Sequence, residues 1–194
     1  MARGPLGMDE ILESVGMVGR DHLDIRTVTL GINLRGCRTP DDVVRHITDT
    51  AGDLIHITDT LATETGIPIV NRRIAVTPIA WVADRPDGEL LLDLARALDE
   101  AATTVGVDFI GGFSAMVEKN TSRIDEEVMA ALPAALAETE RVCGSVNVAT
   151  TGAGINMDAV TFMGEVVKDT AAATADQSAI GCAKLVVFAN AVPD

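Results

Sequence analysis

The sequence predicts an α/β protein built from five strand–helix units. Period-two runs rich in β-branched residues alternate with amphipathic runs of helical period along the chain. Capping signals separate the two kinds of run. No low-complexity linker interrupts them, so residues 8–194 read as one α/β unit and residues 1–7 as an N-terminal extension. Strands that alternate with helices pair in parallel through βαβ crossovers.

Taken in order, residues 8–18 read as a short helix. Asp24-Ile25-Arg26-Thr27-Val28-Thr29-Leu30-Gly31-Ile32 alternates as a strand. Thr39-Pro40-Asp41-Asp42 starts a helix, with Thr39 as N-cap, Pro40 at the first position and acids in the positive first turn. Val43, Ile47, Leu54, Ile55 and Leu61 continue that helical spacing to Gly66, a C-cap signal. Ile67 to Ile79 is a second strand region, broken by Pro68 and Pro78. Asp87-Gly88 reads as a turn, and Leu90 to Val105 as an amphipathic helix ending at Gly106. Val107-Asp108-Phe109-Ile110 reads as a short third strand and Gly111-Gly112-Phe113-Ser114 as the loop after it. Residues 123–139 read as a helix kinked or broken at Pro133. Arg141 to Ala149 is the fourth strand, Thr150-Thr151-Gly152-Ala153-Gly154 a loop, and Asn156 to Ala173 a helix capped by Asn156. Lys184 to Asn190 is the fifth strand. It is strongly apolar and lies close to Pro193-Asp194, so the expectation is that a longer chain or a partner subunit covers it.

Among 194 residues, 29 are Asp or Glu and 15 Lys or Arg, a net charge of −14. Phosphate backbones and anionic membranes are bound by clustered Lys and Arg, so nucleic acid and membrane surfaces are not expected partners. No apolar run reaches transmembrane length and no signal peptide is visible. Only 3 of the cations are Lys, and 18 of the acids are Asp. That balance fits a protein of high-salt cytoplasm, where screening tolerates self-repulsion, and equally an acidic protein from a GC-rich genome. Cys37, Cys143 and Cys182 are scattered without a CxxC, so neither a disulfide framework nor a metal site is expected, consistent with a reducing cytoplasm.

Ligands of parallel sheets bind at the carboxyl ends of the strands. The sequence places Asn71, Arg72 and Arg73 in one such loop, Ser114 in a second with Glu118 downstream, and Gly152, Gly154 and Asn156 in a third. Asn190 ends the fifth strand, and Cys143 and Asn147 lie on the fourth. Amides and a guanidinium suit a small carboxylate-bearing ligand, although Asn side chains also cap loops. Thr151-Gly152-Ala153-Gly154 before a helix can offer backbone N–H groups to an anion, but it lacks the spacing of a Walker or dinucleotide loop. Cys143 is a candidate nucleophile, against its alternative as a small core thiol. Asp108 and Glu118 are candidate acids or bases, and Trp81 is expected to pack in the core. No cofactor is named by any motif.

Long segments carry a family resemblance. They include Gly66-Ile67-Pro68-Ile69-Val70-Asn71-Arg72-Arg73-Ile74-Ala75-Val76-Thr77-Pro78-Ile79, Gly106-Val107-Asp108-Phe109-Ile110-Gly111-Gly112-Phe113-Ser114-Ala115, Gly154-Ile155-Asn156-Met157 and Ala183-Lys184-Leu185-Val186-Val187-Phe188-Ala189-Asn190-Ala191. Together they resemble the N-terminal part of the uncharacterised family known as domain of unknown function 711, or uncharacterised protein family 0210. The resemblance implies a relative of pyruvate formate-lyase in fold, a ten-stranded α/β barrel of two five-stranded halves. The five strands here would then form the first half, with the C-terminal half elsewhere. It further implies an unassigned reaction without a glycyl radical and an ACT-domain partner protein; a half-barrel on its own is in turn expected to form a homo-oligomer. It marks Cys143, Asn147 and Asn156 as site candidates. Arg141-Val142-Cys143-Gly144-Ser145 is superficially similar to a glycyl-radical loop, but Ser145 stands where an aromatic belongs. The two function classes this leaves are an enzyme acting on a small carboxylate-containing metabolite and a non-catalytic small-molecule-sensing or assembly subunit.

Overall fold

A computed structural model describes residues 7–21 and 23–192. Residues 1–6 of the expected extension lie outside the described residues. Gly7 belongs to the folded part, because its N–H donates to Glu10 Oε2 at 2.8 Å and closes the start of α1 (Met8–Gly19).

Five strands pair in parallel: β1 (Ile25–Ile32), β2 (Ile69–Val76), β3 (Phe109–Met116), β4 (Val142–Thr150) and β6 (Leu185–Ala191). Their order in the sheet is β1-β2-β3-β4-β6, so each crossover carries the chain one strand further in the same direction. A sixth strand, β5 (Gly154–Ile155), has only two residues and pairs antiparallel with the end of β4. Crossovers of one hand that always advance one way place their helices on the same face of the sheet. Accordingly α2 (Pro40–Ala51), α4 (Gly88–Val105), α5 (Arg123–Glu138) and α6 (Met157–Ala173) form one layer, each packed on the next.

Local signals explain the element ends. Thr39 accepts from Asp42 N–H and Asp87 from Glu89 and Leu90 N–H. Ser122 and Asp125 form a reciprocal capping box. Asp87 is therefore the cap of α4 rather than part of a free turn. Gly66 and Gly106 close helices in the left-handed conformation, at φ 71° and 85°. Three expectations change. The helical run from Val43 to Gly66 is two helices, α2 and α3 (Leu54–Thr65), because the chain breaks at Gly52-Asp53. Pro133 does not end α5, which runs through it. Trp81, in the short 3-10 turn after β2, is half exposed rather than in the core.

The core lies between sheet and helix layer. Phe113, Ile74, Ile110 and Val146 from the strands meet Leu91, Leu98, Leu132 and Leu136 from α4 and α5. Two glycines mark close approaches, Gly144 to the helix layer and Gly112 to the neighbouring strand. A Cβ on Gly144 would stand 2.4 Å from Leu132 Cδ2. At Gly112, where φ is 135° and the ladder with β4 shifts register, a Cβ would stand 2.2 Å from Val76 Cγ2. Gly144 is thus the seat of α5 on the sheet, which also accounts for the glycine in the radical-like segment.

Gly144→Ala should cost about 1–3 kcal/mol by overpacking. Gly31→Ala, on a strand but with nothing within 4 Å of its Cβ, should change stability by less than about 0.5 kcal/mol. Urea unfolding of the two variants checks the difference.

Candidate functional site

Strand side chains alternate, so the face turned from the helices is read directly from Gly144. Because Gly144 lies under Leu132, its neighbours Cys143 and Ser145, and Asn147 beyond, point to the uncovered face. The register extends that face into rows across the sheet. Thr27 stands beside Asn71, and Thr29 beside Arg73 and Phe109. Gly31, Ala75, Gly111 and Cys143 form the next row. Ser114 stands beside Ser145 and Val186, and Met116 beside Asn147 and Phe188. No residue in these rows is a carboxylate or a histidine.

The structure brings several predicted residues onto this face but moves them along the strands. Asn71, Arg72 and Arg73 are inside β2 rather than in a loop after it, and Ser114 is inside β3. Polar runs read as loops because a strand in a fully covered sheet is apolar; a strand with one uncovered face tolerates them. Asn71 Nδ2 donates to the Arg26 carbonyl at 3.0 Å. Arg72 turns to the helix side, where it pairs with Asp59 and its Nε donates to Thr58 Oγ1 at 3.4 Å. Asp108 is structural too, since its Oδ2 accepts from Arg72 N–H at 2.7 Å and extends the ladder. The Ser114 and Ser145 hydroxyls bond each other at 2.8 Å. Cys143 and Asn147 are four residues apart along β4, about 13 Å in a strand, so they do not share one small pocket.

The carboxyl-end candidates are largely occupied by the scaffold. Asn156 caps α6 by accepting from Ala159 N–H, while its Nδ2 donates to Val117 O at 2.8 Å and Thr121 Oγ1 at 3.2 Å. Gly152 sits in the turn before β5, and Gly154 takes φ 84° there. In that loop Thr151 N–H donates to Ala191 O and Ala153 N–H to Thr150 Oγ1, which removes two donors from the anion cradle. Asn190, at φ 110°, is the extra residue where the ladder between β4 and β6 shifts. Asn147 is buried. With its amide nitrogen toward β6, it donates to Ala149 O at 2.9 Å and Phe188 O at 3.3 Å, bridging the other shift in that ladder.

Loops at the carboxyl ends enclose a cleft of about 460 Å³. Trp81 comes from the loop after β2 and Glu118, Lys119 and Asn120 from the loop after β3; Asn147 and Thr150 come from β4. Arg35 stacks on Trp81 at 5.3 Å. Lys119 and Asn120 also border a cleft of about 630 Å³ between the first turns of α5 and α6. Among the described residues, no three His, Cys, Asp or Glu side chains converge as metal ligands.

Sequence reasoning named Arg73 only as part of a loop with Asn71 and Arg72, and missed Ser145 and Lys184. Arg73 and Ser145 could have been found by extending the period-two alternation through β2 and β4. Lys184 had no local signal. Its buried ammonium donates to the Leu136 and Thr139 carbonyls at 2.8 and 2.5 Å and so closes the C-terminus of α5 across 45 residues of sequence. Burial pulls the Lys184 pKa down, against the raising influence of Cys143, Asp99 and Glu140. Burial pushes the Cys143 thiol above its ordinary value, and the positive fields of Arg73 and Lys184 only partly offset this. Cys143 is therefore a poor nucleophile near neutrality.

A singly wound α/β sheet, with helices on one face and polar rows on the other, is the class this geometry defines. The chain belongs to the family described as Uncharacterised ACR (DUF711), whose model matches residues 16–194. It is 55% identical to a UPF0210 protein of Desulforudis audaxviator over 97% of its own length and 43% of that relative. It is 54% identical to a UPF0210 protein of Methanosarcina acetivorans over 96% of its length and 41% of that relative. The chain thus spans about two-fifths of the curated relatives it matches.

Iodoacetamide should alkylate Cys143 more slowly at pH 7 than it alkylates a free thiol, by about tenfold per unit of pKa difference, and the rate should climb above pH 9. Peptide mass spectrometry across pH reads this. Lys184→Met should destabilise the fold by about 1–3 kcal/mol, by leaving the last carbonyls of α5 unpaired; thermal unfolding checks it.

Proposed function

We propose that this chain is one wall of a closed α/β barrel related in fold to pyruvate formate-lyase, and that its uncovered face lines a lumen binding a small carboxylate-containing metabolite. The observation that carries the reading is the one-sided sheet. Its strands advance in one direction, as closing barrels require, and its helix-free face bears Asn71, Arg73, Ser114, Cys143, Ser145 and Asn147. Polar groups so placed are costly to cover with apolar surface and useful around a polar ligand. The length of the relatives supports the reading, since they have room for a second wall.

In the enzymatic form of this reading, the wall orients a metabolite and proton-transfer groups come from elsewhere in the barrel or from Glu118 at its mouth. The raised Cys143 pKa and the lack of an acid or base in the face rows favour a second reading as well. In it the same lumen senses a metabolite without turning it over, in an assembly with a regulatory partner of the ACT-domain kind.

A wall with an uncovered face should self-associate when alone. Sedimentation of the 194-residue chain should show dimers or larger species, and Ala75→Arg, in the middle of the face, should shift them toward monomer. A monodisperse monomer of the unsubstituted chain would overturn the barrel-wall reading.

A further inference from the structure

Six of the described arginines have assigned partners. Arg20, Arg45, Arg72, Arg85 and Arg96 form ion pairs, and Arg141 donates to the Val107 carbonyl at 2.6 Å. Arg26, Arg35, Arg38 and Arg123 are exposed, where water serves them. Arg73 differs from both groups. It is partly buried and its side chain makes no ion pair or hydrogen bond among the described residues; its Nε is fully buried and unpaired, as is that of Arg141. The two terminal nitrogens of Arg73 are not closed off as its Nε is, and a carboxylate can meet both of them in fork geometry.

The surroundings of Arg73 hold it ready rather than satisfy it. Its guanidinium carbon lies 5.2 Å from the centroid of the Phe109 ring, the neighbour in its row on β3. That contact fixes the head group over the sheet without using its donors. Its positive field reaches Cys143 on β4. In the adjacent row, Gly31, Ala75 and Gly111 carry nothing larger than a methyl group before Cys143 on β4, and a Cβ on Gly31 or Gly111 would meet nothing within 4 Å. Beyond that strip stand the Ser114 and Ser145 hydroxyls. A charged fork, a bare floor and a hydroxyl pair thus follow one another up the same face.

We infer that Arg73, not Arg72, is the anion-anchoring residue of this face, and that it takes the carboxylate of a small ligand lying over Gly31, Ala75 and Gly111. This rests on the reading of the face as a lumen wall. One unpaired cation balances one carboxylate, whereas a phosphate dianion calls for more positive charge than these rows provide.

Cys143 reports on the site without any activity assay. The 194-residue chain is titrated with acetate, succinate and inorganic phosphate at constant ionic strength set with sodium chloride, and the alkylation rate of the Cys143 peptide is followed by mass spectrometry. Neutralising Arg73 removes a field that lowers the thiol pKa, so acetate and succinate should slow alkylation saturably, by severalfold. Arg73→Gln should slow the basal rate and abolish the carboxylate dependence. Arg73→Lys should keep the basal rate near that of the parent but weaken succinate about tenfold, because it retains the charge and loses the fork. Calorimetry with succinate should repeat that order. No saturable effect of either carboxylate, or an equal effect in Arg73→Gln, overturns the inference; a tighter effect of phosphate overturns the carboxylate assignment. The titration is run at dilutions where sedimentation shows monomer, so the face is open and the outcome is distinguishable from the sedimentation result that decides the barrel wall.

Discussion

Each crossover carries the chain to the next strand in the same direction, and the rest of the structure depends on that winding. It gathers α2, α4, α5 and α6 into one layer and puts none of these crossover helices on the opposite face of the sheet. Gly144 shows how tightly the covered side is held, since a single methyl group would strike Leu132. The same strand turns Cys143, Ser145 and Asn147 the other way, so one residue's packing sets the address of its neighbours. Because the strand order never reverses, the sheet has no topological switch point, the usual ligand crevice of open α/β sheets. What it has instead is a face, and clefts where the loops leave the carboxyl ends.

The polar residues divide by what they do for the fold. Asn156, Asp108, Arg72 and Lys184 are taken up by caps, ladders and an ion pair, and they hold elements far apart in sequence. Lys184 is the extreme case, a buried cation whose donors end α5. Its field and that of Arg73 act on Cys143, yet burial dominates and keeps the thiol protonated. The uncovered face accordingly presents a guanidinium, hydroxyls and amides and no carboxylate or histidine in its rows.

Much of the architecture was legible in the sequence. Thr39 and Asn156 sit where side-chain capping demands them, and Gly66 and Gly106 where a left-handed residue ends a helix, because these signals act over four or five residues. Of the candidate site residues, Asn71, Ser114, Cys143 and Asn147 do lie together on the uncovered face, while Arg72 and Asn156 are taken up by the scaffold. Their placement was not legible. Asn71 and Ser114 read as loop residues because their polar neighbours break the apolar run, and nothing local says that a strand will keep one face bare. Arg72 and Arg73 are indistinguishable by composition, and alternation alone sends one to Asp59 and the other to the open face.

The sequence by itself determined the α/β class, the caps, the family and the inventory of polar groups, since propensity, period and turn chemistry are local. Only the tertiary structure decided which face those groups share and which of them are already spent. Strand register and winding arise from contacts between residues tens of positions apart: Gly144 under Leu132, Lys184 on the end of α5, Thr29 beside Arg73. Such contacts leave no trace in any short window of sequence, and they are what separate Arg73 from its neighbour.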